Sequence, residues 1–226
     1  MRFLFIALLF PIISLAQQPA HFYVGSQELE GVDVYDIHQS TSGDYWIVTN
    51  NGLYKFDGYS FEKLENDQML SSSLFNLNEN QKGEIFCHNL SGQVFRIIND
   101  ELQLFYTIPQ DYMSPEIETT ISANDRLLIF TKGIINIGED TVYTKEQAPE
   151  TLSSFGKVAR IDEQIFFSHR YSNNFYSIQG NSNEVKPTNL VGSGQTTPLY
   201  HLLSFQDNLY SFDIGNYDLW SITDQV

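Results

Sequence analysis

The chain has 226 residues, of which 42% are hydrophobic and 14% are aromatic, and its formal net charge is −16. This composition is typical of a folded globular protein and excludes an intrinsically disordered one. The acidity argues against nucleic acid and against an anionic membrane surface as partners, because both require a basic protein surface.

The N-terminus has the parts of a secretory signal peptide. Arg2 supplies a positive charge, the apolar run 3–10 follows, and Ser14-Leu15-Ala16 offers small residues for cleavage. We therefore expect residues 1–16 to be a signal peptide and the protein to be exported, starting at Gln17. Loss of one basic residue would take the net charge from −16 to −17. An uncleaved anchor is the alternative, although the apolar run is too short to span a bilayer.

One pattern recurs five times in the remaining chain: an apolar strand, a polar turn, a second apolar strand, another turn and a third strand. The predicted second strands are 45–48, 85–88, 127–130, 165–168 and 209–212, and the third strands are 53–56, 94–97, 134–137, 175–178 and 219–222. Equivalent second-strand positions lie 40, 42, 38 and 44 residues apart: Trp46, Phe86, Leu128, Phe166 and Tyr210. Two series with matching spacing indicate a structural repeat.

Turn residues separate these predicted strands. The turn before the second strand contains Gly43, Gly83, Asn124-Asp125, Asp162-Glu163 or Asp207-Asn208, and the next turn contains Gly52, Gly92 or Gly133 in the first three units. Glycine and asparagine tolerate the left-handed backbone that tight hairpins require. Each unit is therefore predicted to be an antiparallel meander, nominally of four strands.

The fold predicted from this pattern is an all-β β-propeller, built from four-stranded antiparallel blades of about 40 residues. A sheet of this size cannot bury both faces alone, so neighbouring sheets must cover it, and radial stacking is the usual solution. A β-sandwich is the alternative. Five blades are visible within the propeller domain 17–226, at about 32–66, 72–108, 117–146, 155–190 and 199–226.

The fifth unit stops after its third strand, at Ile222. We expect the natural chain to continue as part of a larger propeller. The alternative is that the early segment His21–Gly25 supplies the missing strand and closes a five-bladed ring. The turn-rich stretch 186–198, which contains Gly192-Ser193-Gly194, is interpreted as a loop between blades.

The first unit contains the run Trp46-Ile47-Val48-Thr49-Asn50-Asn51-Gly52-Leu53-Tyr54-Lys55-Phe56-Asp57-Gly58. This run resembles the regulator-propeller repeat of bacterial two-component sensors, whose core has the form W-I-x-T-x-x-G-L-x-x-x-D-G. The second unit keeps Gly83, Phe86 and Gly92, and the later units keep only the apolar strands and some turns.

The resemblance implies an extracytoplasmic sensor domain of a membrane histidine kinase, at the periplasmic face of the inner membrane. The kinase would lie outside this chain, and tethering would come through a missing C-terminal part. An unknown small ligand is implied, with oligosaccharides as a family precedent, and a homodimer is compatible with this architecture. The resemblance implies no enzymatic activity for this chain.

We assign no catalytic, cofactor-binding or metal-binding residue from the sequence, and no cofactor. Cys87, the only cysteine, cannot form an internal disulfide and lies in an apolar strand pattern, so we expect a buried, unreactive thiol. Trp46 is predicted to pack between blades rather than to stack on a ligand, because its equivalents are apolar. The glycines of the repeat are predicted to serve turns, because no helix follows them to bind phosphate.

Two other functions stay open at this point. A secreted propeller enzyme acting on polysaccharide would require histidine and carboxylate side chains clustered at the channel mouth. A mouth with scattered Asn, Ser and Tyr would favour sensing. A protein-interaction or adhesion propeller would have a featureless channel and an exposed apolar blade edge.

Overall fold

The computed structural model describes residues 24–122, 124–137, 141–143, 155–161, 163–169, 175–179, 185–188, 190–192, 201–205, 208–213 and 218–224. The chain divides into two compact units, Met1–Gly31 and Val32–Val226, and all the strands belong to the second. The described residues contain one short 3-10 helix, Gln110–Tyr112. Among them there is no helix with the length and apolarity needed to cross a membrane.

The first three sheets are simple antiparallel meanders of four strands each. The first sheet contains β1 (Val34–Gln39), β2 (Tyr45–Thr49), β3 (Gly52–Phe56) and β4 (Phe61–Leu64). The second contains β5 (Leu74–Glu79), β6 (Ile85–Asn89), β7 (Gln93–Ile98) and β8 (Glu101–Thr107). The third contains β9 (Glu118–Ile121), β10 (Leu127–Phe130), β11 (Ile134–Ile137) and β12 (Thr141–Tyr143).

The fourth sheet repeats this order, and the fifth departs from it. The fourth contains β13 (Phe155–Ile161), β14 (Gln164–His169), β15 (Phe175–Gln179) and β16 (Val185–Pro187). The remaining strands are β17 (Leu190–Gly192), β18 (His201–Phe205), β19 (Asn208–Asp213) and β20 (Asp218–Asp224). They form the fifth sheet in the order β18-β19-β20-β17. The all-β prediction with four-stranded antiparallel units is confirmed.

The fourth position of the fifth sheet is taken by β17, which precedes the other three strands in the chain. Its register pairs Leu190 with Asp224 and Gly192 with Ile222. The interpretation of Gly192 as part of a loop was therefore wrong. The apolar pair at 190–191 is short, but the free edge of β20 provides main-chain hydrogen-bond partners for this segment. The segment His21–Gly25, the alternative source of this strand, lies mostly outside the described residues.

The first strands of the sheets contact one another in sequence, β1 with β5, β5 with β9, β9 with β13 and β13 with β18. They are therefore the inner strands of the five sheets. In the first four sheets, the second, third and fourth strands lie progressively farther from these inner strands. Bulges interrupt three of these inner strands, between Val34 and Asp36, between Phe75 and Asn78, and between Phe155 and Val158. A bulge re-aims the side chains beside it, and this occurs here at one end of the inner strands.

The core consists of apolar layers between successive sheets. Trp46 packs between the first and second sheets, Phe86 between the second and third, and Leu128 between the third and fourth. Phe166 is half-buried against the layer between the fourth and fifth sheets, and Tyr210 is half-buried on the fifth. The aromatic and aliphatic side chains with the 40-residue spacing thus occupy matching places, which is how each sheet excludes water from its neighbour.

The first hairpin turn of each of the first three sheets has the same construction. A buried Ser40, Asn80 or Ser122 begins the turn, and its main-chain N–H donates to a carbonyl four residues later. The left-handed position is Gly43 in the first sheet (φ 99°) and Gly83 in the second (φ 79°). In the third sheet this position is Asp125 (φ 64°), a residue that tolerates left-handed backbone.

We expect Gly92→Ala to destabilise the protein more than Gly43→Ala. Both glycines have positive φ, 80° and 99°, so a side chain costs about 1 kcal/mol at either site. A Cβ at residue 92 would also lie 2.3 Å from Sδ of Met113, whereas at residue 43 it meets nothing within 4 Å. Urea unfolding of both variants measures the difference. Equal losses would show that Met113 moves aside at no cost.

Candidate functional site

Four polar residues occupy the same place on four adjacent inner strands. In the first sheet His38 pairs with the repeated Trp46, and the polar residue lies two positions before His38. In the second sheet Asn78 pairs with the repeated Phe86, and the polar residue again lies two positions earlier. The third and fourth sheets have the same register: Thr120 pairs with Leu128, and Ala159 pairs with Phe166. The polar residue lies two positions before Thr120 and two positions before Ala159. The four residues are Asp36, Asn76, Glu118 and Lys157. In β18, where Leu203 pairs with Tyr210, the equivalent residue is His201.

These four side chains line one cavity of about 460 Å³ at the end of the inner strands. Residues from the first four sheets, or from the loops that lead into them, contribute to its wall. A cavity where several blades converge at one end of the inner strands corresponds to a channel mouth, the common location of ligand sites in β-barrel-like folds. We call it the mouth cavity.

A chain of hydrogen bonds joins three sheets across the mouth cavity. Nε2 of His88 lies 2.9 Å from Oδ1 of Asn76, and because that oxygen only accepts, Nε2 carries the proton. Nδ2 of Asn76 donates to Oε2 of Glu118 at 3.1 Å. Nζ of Lys157 donates to Oε1 of the same carboxylate. We call this set the mouth relay: His88, Asn76, Glu118 and Lys157.

Burial sets the charge states in the mouth relay. It raises the pKa of the Glu118 carboxyl above its ordinary value, and the Lys157 ammonium works in the opposite direction. Burial lowers the pKa of His88 to about 4, and the nearby positive charge of Lys157 adds to this. His88 is therefore a neutral imidazole at neutral pH, and its Nδ1 has no hydrogen-bond partner among the described residues.

Asp36 links the first sheet to the second at the same cavity. Its Oδ1 accepts a hydrogen bond from the N–H of Ile37 at 2.9 Å, and its Oδ2 accepts one from the N–H of Leu77 at 2.8 Å. The second bond satisfies a main-chain donor beside the bulge of β5, where the ladder to β6 is interrupted. Asp36 therefore fixes the spacing of two inner strands while it presents negative charge to the mouth cavity.

An exposed aromatic surface borders these polar groups. The ring of Tyr35 is stacked on that of Phe75, with centroids 4.6 Å apart and planes inclined by 15°. Phe75 in turn lies over the buried His88 ring at 6.0 Å. Tyr35 is 46% exposed, so the outer ring is accessible to a ligand. A flat apolar face beside carboxylates and an ammonium can bind a ring with polar substituents.

A second cavity, also of about 460 Å³, lies at the other end of β1 and β5. Two pairs at its wall join the first two sheets: Lys55 bonds Asp100 at 2.7 Å, and His38 bonds Glu79 at 2.7 Å. Trp46 also lines this cavity, and its indole N–H has no partner among the described residues. Because only the first two sheets contribute and these pairs bridge them, we interpret this cavity as part of the seam between the two blades.

The repeat positions singled out in the sequence do not form the wall of the site. None of the predicted repeat residues lines the mouth cavity; they lie in seams and turns: Gly43, Trp46, Gly52, Gly83, Phe86, Gly92, Phe166 and Tyr210. The four mouth residues of the inner strands were missed, although they recur at intervals of 40, 42 and 39 residues. Aligning the first strands as well as the second and third would have found them.

Buried Cys87 lies in the layer between the first two sheets, and burial raises the pKa of its thiol to about 12. It therefore lies in the core as an unreactive group. Among the described residues, no group of three or more histidine, cysteine, aspartate or glutamate side chains has the geometry to hold a metal ion.

Neither protein-family models nor curated proteins match the chain. Solved structures do match it. A catalytically inactive variant of virginiamycin B lyase from Staphylococcus aureus, with quinupristin, has a TM-score of 0.69 and 17% identity over 85% of this chain and 67% of its own. The fold is a β-propeller. The predicted propeller architecture is thus confirmed, and at this level of identity the likeness establishes the fold alone.

Two further similar structures are extracellular domains from Bacteroides thetaiotaomicron, both assigned as hybrid two-component systems. One, BT3049, has a TM-score of 0.58 and 18% identity over 84% of this chain and 30% of its own. The other, BT4673, has a TM-score of 0.60 and 13% identity over 91% of this chain and 29% of its own. The present chain therefore spans about a third of the length of these domains.

Proposed function

We propose that this chain is the exported, ligand-binding propeller of a two-component receptor, with the histidine kinase in another part of that receptor. The observation that supports this most directly is the convergence of polar side chains from four successive sheets on one cavity beside an exposed aromatic ring. The repeat in the first unit and the similarity in fold to extracellular domains of two-component systems also support it.

The ligand class that fits this surface best is an oligosaccharide. One sugar ring would stack on the exposed face of Tyr35, while its hydroxyl groups would bond the carboxylate of Asp36 and the ammonium of Lys157. Lys157 is suited to this because its side chain is 38% exposed, whereas that of Glu118, its partner, is 15% exposed.

Signalling would follow from the way the mouth cavity joins separate sheets. Asp36 bonds across the first seam, and Glu118 is bonded by side chains from the second and fourth sheets. A ligand that binds one arrangement of these inner strands more tightly than another would shift the population between them. The expected output is a small change in blade positions that the rest of the receptor detects.

A propeller lyase is the second candidate, because the mouth cavity brings a histidine and carboxylates together and because the fold is similar to virginiamycin B lyase. The geometry of His88 weighs against it. The residue is 1% exposed, and its Nε2 proton is donated to Asn76. A general base must reach the proton that it removes, and this imidazole does not reach the solvent side of the cavity.

We expect Tyr35→Ala to weaken binding of the oligosaccharide that stabilises the protein by about fivefold or more, because an aromatic stack contributes about 1 kcal/mol beyond its buried area. A panel of neutral, acidic and amino oligosaccharides would first be screened by the rise in melting temperature. The matched control is Tyr59→Ala, since Tyr59 is 96% exposed and lies in a turn outside the mouth cavity.

Equal weakening by both tyrosine substitutions would contradict the assignment of the site. A panel without any stabilising member would contradict a sugar ligand. Turnover of a bound sugar, followed by chromatography, would favour the lyase over the sensor.

A further inference from the structure

The mouth relay holds an amine and an amide on the two oxygens of one carboxylate. Nζ of Lys157 donates to Oε1 of Glu118, and Nδ2 of Asn76 donates to Oε2 of the same side chain at 3.1 Å. The amine belongs to the fourth sheet, the amide to the second, and the carboxylate between them to the third. A lysine amine can condense with an asparagine amide, with loss of ammonia, when a neighbouring acid-base group moves the protons.

Both of the groups that would react lie in bulges of inner strands. Asn76 is in the bulge of β5 that precedes Asn78, and Lys157 is in the bulge of β13 that precedes Val158. Asn76 also has a left-handed backbone, with φ of 50°. Residues other than glycine seldom adopt this conformation, and such exceptions concentrate at functional sites. A bulge re-aims a side chain, and both of these side chains line the mouth cavity.

The groups around the amide match the needs of this reaction. Nε2 of His88 donates to Oδ1 of Asn76 at 2.9 Å, and this oxygen gains negative charge when an amine attacks the amide carbon. Burial raises the pKa of the Glu118 carboxyl, so this group takes up a proton more readily than an exposed glutamate does. The partly exposed Lys157 has a flexible stem that allows its amine to approach the amide.

We propose that Lys157 and Asn76 form an intramolecular isopeptide bond, in which Nζ of the lysine is joined to Cγ of the asparagine. The bond would connect the second and fourth sheets across the mouth cavity. A cross-link between distant parts of a chain stabilises the fold by constraining the unfolded state. The chain has one cysteine, so an internal disulfide cannot supply this constraint. The bond would form whether or not the proposed ligand binds, because Tyr35 and Asp36 take no part in the reaction.

The protons in this reaction pass through Glu118. Nζ of Lys157 first transfers a proton to this carboxylate, and the neutral amine attacks Cγ of Asn76. Oδ1 takes the negative charge and is held by the N–H of His88. As the Cγ–Nδ2 bond breaks, Glu118 gives its proton to Nδ2, which leaves as ammonia, and takes up the second proton that Nζ releases. Ammonia carries that proton into water as ammonium, so no oxidant or reductant is required.

Mass spectrometry of the denatured full chain, digested with trypsin, tests the proposal. Trypsin does not cut after an acylated lysine, so the expected product joins the peptide 64–82, which contains Asn76, to the peptide 146–160, which contains Lys157. Its mass should be about 17 Da below that of the two peptides together, because ammonia is lost. Recovery of the peptides only in the unlinked form, with cleavage after Lys157, would overturn the proposal.

Two asparagine variants locate the bond. Asn76→Ala is expected to give only unlinked peptides. The matched control is Asn78→Ala, which removes an asparagine of the same strand that bonds Thr119 in the third sheet but lies outside the mouth relay. We expect this control to keep the cross-link. Loss of the linked product in Asn78→Ala but not in Asn76→Ala would contradict the assignment of the amide.

Glu118→Gln separates the proton transfer from the proximity of the two groups. Glutamine keeps the size of the side chain but cannot take the proton from Lys157, so bond formation should slow by about a hundredfold or more. The freshly purified variant is therefore expected to give mostly unlinked peptides, while urea unfolding verifies that it is folded. A folded variant with as much linked product as the wild type would contradict the role of Glu118. If the variant does not fold, the digest of the wild type decides, because it requires no substitution.

Discussion

Trp46→Ala is expected to lower the free energy of unfolding by about 4 kcal/mol, the largest stability loss of the predicted substitutions. Trp46 is 4% exposed and packs in the layer between the first two sheets, next to Leu77 and Ile85. Truncation removes its transfer free energy and leaves a cavity that rigid β-sheets cannot close. Since each sheet depends on its neighbour to exclude water, the loss affects the whole first seam.

Trp46→Phe separates packing from hydrogen bonding at this position. Phe86 occupies the matching place one sheet later, so a benzyl group suits this environment. The indole N–H of Trp46 is buried without a partner among the described residues, and its removal relieves a desolvation cost. We expect Trp46→Phe to lose about 1 kcal/mol, a small fraction of the alanine effect. Equal losses in the two variants, measured by guanidinium unfolding, would show that the indole N–H is bonded.

The repeat and the blade architecture could be predicted from the sequence because packing between sheets leaves a strong periodic signal. A side chain such as Trp46 or Phe86 must be large and apolar in every unit, so the spacing persists even where identity is lost. The turns could also be predicted, because Gly43 and Gly83 have a left-handed backbone conformation that few residues adopt. Asp125, at the equivalent position of the third sheet, shows that a residue other than glycine can also adopt this left-handed conformation.

The candidate site was missed in the sequence because its members share a position in the first strands and not a residue type. Asp36, Asn76, Glu118 and Lys157 differ in charge and size, so no motif joins them, and only the register of the inner strands brings them to one end. The order of the fifth sheet was missed for a related reason. The partner of β20 comes from an earlier part of the chain, and a search for consecutive strands does not detect it.

Acidification from pH 7 to pH 4 is expected to lower the free energy of unfolding by about 3 kcal/mol through His88 alone. The pKa of this residue is about 4 in the folded protein and 6.5 in an unfolded chain. Above pH 6.5 the imidazole is neutral in both the folded and the unfolded state. Between pH 6.5 and pH 4 only the unfolded chain takes up a proton, so the free energy of unfolding decreases as the pH is lowered. The decrease ends near pH 4, where the folded state is protonated as well. The span between the two pKa values corresponds to about 3 kcal/mol.

His88→Gln isolates this effect because glutamine keeps a donor for Oδ1 of Asn76 but does not titrate. Urea unfolding of both proteins at several pH values should give curves that converge as the pH falls, with the wild type losing its excess stability between pH 6.5 and pH 4. Glu118 acts with the opposite sign: its raised pKa means that the folded state takes up a proton first, so its protonation adds stability as the pH falls. Because Glu118 is present in both proteins, it cancels in the difference.

Parallel curves for the wild type and His88→Gln would contradict a depressed His88 pKa, and so would an imidazole NMR titration with its midpoint near 6.5. A charged His88 would still donate to Asn76, but it would place a second cation near Lys157 in a buried position. In the folded protein His88 takes up its proton only near pH 4, so any disruption of the mouth relay by this second cation is expected near pH 4, at the lower end of the range over which stability falls.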